Sequence, residues 1–118
     1  MTPEAQIRLH RIRNDQMYHH YLGDALDVLL LHEDGVGEVW TIGWDTRSGM
    51  RPQPFISGGT FHMSRLHAGY ALLGTTEWPG VEPPDVEVGG ADALAARHRG
   101  WAQALKRFAD PLAQGKSA

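Results

Sequence analysis

Apolar and polar positions alternate with a period of two through most of the chain before residue 89, the spacing of half-buried β-strands. Residues 7–12 and 16–22 read as two strands joined by a tight turn at Arg13, Asn14 and Asp15, because Asn and Asp favour turns through local side-chain bonding. Gly23 and Asp24 make the next turn. Residues 26–31 are almost all Leu and Val, which predicts a strand buried on both faces. Asp34 and Gly35 close a hairpin, and residues 38–42 alternate again. A loop over 46–52 leads to a short strand at 53–56, then to a turn at Ser57, Gly58 and Gly59 that needs unusual backbone angles. Residues 61–66 and 69–76 are further strands, separated by His67 and Ala68. Prolines 79, 83 and 84 remove ladder donors, so the stretch from Trp78 is no central strand, and residues 86–88 make a final edge strand. Such a run of short strands with turn signals between them predicts a barrel or a sandwich.

Beyond residue 90 the period changes. Leu94, His98, Trp101, Leu105 and Phe108 recur at steps of four and three, which draws one stripe down a helix over about 92–109. Gly100 inside it costs ~1 kcal/mol relative to alanine, so this helix depends on packing. Asp110 before Pro111 ends it, and residues 114–118 are expected to fray. The stripe must cover something, either the open end of a barrel or a second subunit.

A chain of 118 residues is one domain, here 1–118 with strands over about 7–89 and the helix after them. Its 42% hydrophobic and 21% charged content is that of a folded globule. A formal charge of −3 leaves no basic field for a phosphate backbone, which argues against nucleic acid as a partner. There is no cysteine, so disulfides, thiolate metal sites and cysteine nucleophiles are excluded. The N-terminus lacks the pattern of a signal peptide, and the longest apolar run is too short to span a bilayer. The expectation is a cytoplasmic protein without a membrane partner.

The chemistry lies in the histidines and tyrosines. Gln16, Tyr18 and His20 share one parity on their strand and should face one side. Seven histidines without cysteine suit an imidazole or imidazole–carboxylate metal site. They equally suit a metal-free acid–base site, in which His10 or His62 removes a proton and Tyr18 or Tyr70 returns one. The structural alternative is hydrogen-bonded interior histidines, and tyrosines packed with their hydroxyls at the mouth. Trp40, Trp44 and Trp78 could frame an aromatic rim for a flat ligand, with wall packing as the alternative. His32, beside Glu33 and Asp34, is expected in solvent; His67 lies at a turn, and packing accounts for His98 on the helical stripe. No phosphate loop, Gly-x-Ser-x-Gly elbow or His-Glu-x-x-His motif is present.

Three ordered runs, "LHRIRNDQMYHHYLGDALDVLLLHEDG", "IGWDTRSGMRPQPFISGGTFHMSRL" and "GYALLGTTEWPGV", carry a resemblance to a small single-domain cupin subfamily whose members mostly have no assigned function. It covers roughly residues 7–89 and implies an all-β, cupin-like barrel of jelly-roll type, here followed by a C-terminal α-helix. Matched to the cupin metal pattern, His10 takes the place of the second histidine, Gln16 that of the glutamate and His62 that of the last histidine. Arg8 replaces the first. The resemblance therefore implies either no cofactor or one divalent transition metal ion on His10, Gln16 and His62, with His20 as a replacement ligand. Gln53 matches a glutamine of the subfamily's Pro-Gln strand and is expected to line the pocket or satisfy the neighbouring loop.

Subfamily members begin with a further helix and strands that have no counterpart here, so residues 7–12 are expected to form an open sheet edge, covered by a second copy in a homodimer. The leading expectation for function is a small-molecule isomerase, epimerase or cyclase using His and Tyr acid–base chemistry, with metal assistance as an option. Sugar-nucleotide epimerases and some polyketide cyclases among cupin relatives make related demands. The expected catalytic residues are His10, Tyr18, His62 and Tyr70; Gln16, His20, Gln53 and Trp40 would contact the ligand. The rival is a non-catalytic small-molecule-binding cupin.

Overall fold

The computed structural model describes residues 1–5, 7–66 and 68–109. The expectations placed on His67, on the stop at Asp110 and Pro111 and on residues 114–118 fall outside them. The strands are β1 (His10–Ile12), β2 (Asp15–Gly23), β3 (Leu26–Leu31), β4 (Gly37–Ile42), β5 (Phe55–Ile56), β6 (Phe61–Arg65), β7 (Ala71–Trp78) and β8 (Val86–Val88). They form two antiparallel sheets, one in the order β4-β3-β6-β1-β8 and one in the order β5-β2-β7.

The alternation of β3 shows how these sheets are stacked. Leu26, Val28 and Leu30 join Tyr18, Ile42, Ile56, Leu66 and Ala71 in a core between the two sheets. Leu29 and Leu31 point the other way and meet Phe61 and Met63 of β6 together with Leu94, Leu105 and Phe108 from the C-terminal segment. The five-stranded sheet is thus apolar on both faces, as the unbroken Leu/Val run predicts.

The C-terminal segment is two helices rather than one. α1 (Ala91–Arg97) stops at His98, a 3₁₀ turn spans Arg99–Trp101, and α2 (Ala102–Ala109) follows. The ring of His98 is the reason for a stop there: it is buried, with Nδ1 3.1 Å from the Leu94 carbonyl and Nε2 2.8 Å from the His32 carbonyl. A residue pinned to the end of β3 cannot also continue a straight helix. Both helices cover the outer face of the chain's own five-stranded sheet, neither a barrel's end nor a second subunit. Arg65, buried on β6, donates from Nη1 to the Phe108 carbonyl at 2.6 Å, a cation at the helix C-terminus where the dipole favours it.

The tight turn between β1 and β2 does not join ladder neighbours; it crosses from one sheet to the other. Asn14 is buried in that turn and donates from Nδ2 to the Pro79 carbonyl at 2.6 Å, while Gly58 donates its N–H to Asp15 Oδ1 at 2.8 Å. These long-range ties hold the turn in place of a hairpin ladder. Nor is β1 an open edge, because β8 pairs along it from His10 with Val88 to Ile12 with Val86. His32, expected in solvent, is half-buried with Nε2 2.7 Å from Glu38 Oε2. Among the described residues no helix is long and apolar enough to cross a membrane.

Candidate functional site

His10 on β1 stands directly opposite His62 on β6 in the ladder, so both side chains leave the sheet on one face. Phe61 and Met63 face the helices, which turns His62 and Ser64 toward the three-stranded sheet. The two imidazole centroids are 4.4 Å apart. From the facing sheet come Gln16, Tyr18 and His20, at alternate positions of β2 and all buried, as their shared parity predicts. The Tyr18 ring meets His62 edge-on at 5.8 Å, and Gln16 Nε2 lies 3.3 Å from His62 Nε2.

Backbone carbonyls fix which nitrogen of each histidine carries its proton, because a carbonyl oxygen can only accept. His10 Nδ1 is 2.7 Å from the Arg8 carbonyl, so Nδ1 donates and Nε2 presents a lone pair. His62 Nδ1 donates to the Thr60 carbonyl at 3.1 Å, and its Nε2 accepts from the Gln16 amide. His20 Nε2 donates to the Asp24 carbonyl at 2.8 Å, which leaves Nδ1 as a buried acceptor without a partner among the described residues. His10 Nε2 is therefore a free base at the half-buried end of the group, while both nitrogens of His62 are engaged.

Burial sets the charge state of the inner members. His62 is completely buried, and burial, followed by the neighbouring His10, pushes its pKa down to about 4. It is a neutral imidazole at ordinary pH. Burial raises the Tyr18 hydroxyl to about 12; the Ser64 and Gln16 side chains pull back in part and the Glu77 charge pushes further. Tyr18 keeps its proton.

Glu77 is the residue that the sequence reading missed. β7 runs on to Trp78, and Glu77 stands opposite Gln16 on the interior face, where Thr75 Oγ1 donates to its Oε1 at 2.8 Å. The alternation of Leu73, Thr75 and Glu77 is the signal that would have found it; the expected end at residue 76 concealed it. Other expected residues lie apart from this group. Tyr70 is half-exposed ahead of β7, and Gln53 is exposed ahead of β5. Trp40 packs on the inter-sheet core from β4, with the Arg51 guanidinium 4.1 Å above its ring. His20 sits nearer the other end of β2, opposite Leu73.

The donor set does not fit a divalent metal. A lone pair on His62 Nε2 calls for a donor opposite, so the Gln16 amide nitrogen faces it and occupies the site a metal would need. Gln16 is neutral, and no group of three or more His, Cys, Asp or Glu among the described residues is arranged to hold an ion. Two surface clefts of about 380 and 320 Å³ lie beside β1, one against Asn14, Trp78 and Pro79, the other against Arg11, Glu33 and Glu87. Neither is lined by the histidine pair.

The family model described as cupin superfamily (DUF985) matches residues 1–89. Among solved structures, protein SO0799 from Shewanella oneidensis is 24% identical with a TM-score of 0.80, over 87% of this chain and 66% of that one. This chain thus spans slightly less than two thirds of SO0799. A hypothetical protein from Leishmania major is 22% identical with a TM-score of 0.82, over 91% of this chain and 70% of that one. A TDP-quinovose 3,4-ketoisomerase, WlaRB from Campylobacter jejuni, is 14% identical with a TM-score of 0.57, over 81% and 68%. At these identities the likeness is one of fold. No curated protein matches the sequence.

Proposed function

This chain belongs to the cupin superfamily, in the family described as DUF985, and on that premise we propose a small-molecule isomerase or epimerase that moves protons between the two sheets, which act as the walls of a barrel. His10 Nε2 takes a proton from a carbon next to a substrate carbonyl. On a 2-hydroxy carbonyl substrate the Tyr18 hydroxyl gives its proton to the carbonyl oxygen, and an enediol forms. When His10 returns its proton to the former carbonyl carbon, the other enediol hydroxyl gives its proton to the Tyr18 phenolate and the carbonyl has moved by one carbon. An epimer forms when Tyr18 regains its proton from the first oxygen after the intermediate has turned its opposite face to His10. A cyclase would use the same first step to create its carbon nucleophile.

The observation that carries this reading is the pairing of an imidazole lone pair on His10 with a tyrosine held protonated, both rings in contact with His62. A neutral His62 leaves His10 as the imidazole that accepts the proton, and Gln16 holds His62 in position. A fold neighbour named as a ketoisomerase supports the reaction class. Tyr70, Gln53 and Trp40 would act only at the rim, in contact with the outer part of a ligand.

The experiment is solvent deuterium uptake, read by mass spectrometry, across a panel of keto sugars, sugar-nucleotide ketoses and keto acids. Uptake is expected for at least one member, with a loss of about a hundredfold or more in His10→Ala and in Tyr18→Phe, the usual scale of general acid–base catalysis. Panel members that bind without exchange would replace this reading with a non-catalytic ligand-binding cupin. The complete burial of His62, with both nitrogens engaged, is the observation favouring that second reading.

A further inference from the structure

The interior is sealed unevenly. At the inward positions of β2, Gln16, Tyr18 and His20 are only 2–3% exposed, whereas on β7 Glu77 is half-buried and Thr75 exposed. β7 is the margin of its sheet, and among the described residues no ladder joins it to β1 or β8. The gap on this flank is bridged at its two ends. At one end the Met1 and Ala71 backbones exchange two bonds of 3.0 Å, and the Ile7 carbonyl accepts from the Ser64 N–H at 3.2 Å. At the other, Asn14 Nδ2 reaches the Pro79 carbonyl, and the Arg13 N–H reaches the Asp85 carbonyl at 3.1 Å. Between these ties lies a side window onto the histidine pair. His10 stands half-buried on one margin of it, with Thr75 and Glu77 on the other.

Glu77 brings the charge to this window. Thr75 Oγ1 donates to its Oε1 at 2.8 Å, and its Oε2 has no hydrogen bond among the described residues. A carboxylate only accepts, so this oxygen calls for a donor. The Glu77 charge also acts on the Tyr18 hydroxyl, which puts it beside the group that protonates a substrate carbonyl. No lysine or arginine holds an inward position on β1, β2, β6 or β7. The arginines on or beside these strands are engaged away from the interior, Arg11 with Glu87, Arg13 with Asp85 and Arg65 with the Phe108 carbonyl. An anionic ligand would meet an unopposed carboxylate here, and a hydroxyl would meet an acceptor.

We propose that Glu77 selects the substrate, a neutral polyhydroxy carbonyl compound whose hydroxyl beyond the reacting carbons bonds to Glu77 Oε2, in preference to a keto acid of the same size. A site that hydrogen-bonds a substrate hydroxyl discriminates strongly against an analogue that cannot donate, and like charge adds to the discrimination. Glu77 is then a specificity residue that moves no proton, and the Thr75 hydroxyl holds its carboxylate in place. The inference rests on the proton-transfer reading for the part of the ligand that reacts, while selective binding tests it separately.

Dihydroxyacetone and hydroxypyruvate make the test pair, since they set a hydroxymethyl group against a carboxylate on the same hydroxy ketone. Saturation-transfer NMR titrations of the full chain are expected to show dihydroxyacetone bound more tightly by about tenfold or more, the scale of a hydrogen bond to a charged group. Glu77→Gln should erase that preference by weakening dihydroxyacetone and admitting hydroxypyruvate. Glu77→Asp keeps the charge on a shorter arm, so it should bind dihydroxyacetone less well and still reject hydroxypyruvate. In solvent deuterium uptake by dihydroxyacetone, the loss in Glu77→Gln should fall on KM rather than kcat. A native chain that prefers hydroxypyruvate or binds neither compound, or a preference unchanged in Glu77→Gln, would overturn the inference. The expected preference without any deuterium uptake would end the proton-transfer reading and leave Glu77 as the selector of a bound ligand.

Discussion

His62 holds a neutral imidazole where water does not reach, and this has a cost that depends on pH. The unfolded chain takes up a proton on this side chain near 6.5, the folded chain only near about 4. Between those values the unfolded state binds more protons, so stability is full above pH 6.5 and falls as the pH drops toward 4, by about 3 kcal/mol in all. Urea denaturation at both ends of that window checks it: His62→Gln is expected to flatten the slope relative to the native chain. At this scale the sequence was partly legible. The shared face of Gln16, Tyr18 and His20 follows from strict alternation. The meeting of His10 with His62 does not, because 52 positions separate them and the match to a family pattern alone joined them. The tautomers were invisible, since Arg8, Thr60 and Asp24 fix them through carbonyl groups that every residue possesses.

Among the elements, β3 was the most legible, because a run that is apolar at every position leaves no choice of face. The helical stripe was also legible as a stripe, but its target and its break were not. Both depend on a contact between His98 and the carbonyl of His32, across 66 positions. Since the helices cover their own sheet, Leu105→Ala should lower stability by about 2–5 kcal/mol, the range for a buried leucine. Trp101→Glu should destabilise the fold, because the indole packs against the chain's own core, and chemical denaturation reads the loss. The Trp101 indole lies against Gly37 on β4, where a side chain would displace it, so Gly37→Val should shift the tryptophan emission as well as the midpoint.

For the molecule as a whole, the short linkage between β1 and β2 defied a reading by turn propensity. Asn and Asp do mark the turn at residues 14 and 15, but local preference cannot say whether the strands on either side pair or part. Asn14 bound to the Pro79 carbonyl and Asp15 bound to the Gly58 N–H settle that they part. The same linkage places His10 in one sheet and Gln16 and Tyr18 in the other, within nine consecutive positions.

That arrangement makes the linkage a gauge of how the molecule breathes. The Gly58 amide is held by Asp15 of β2 and the Gly59 amide by the Ile12 carbonyl of β1, 2.8 Å away in each case, so the glycine turn from β5 to β6 is tied to a strand of each sheet. Native-state hydrogen exchange should therefore find these two neighbouring amides opening together, with one free energy and one denaturant dependence. A ligand held between the sheets should slow both by the same factor, and one bound elsewhere should slow neither. Two backbone protons in a glycine turn would then report the occupancy of a site in which they take no part.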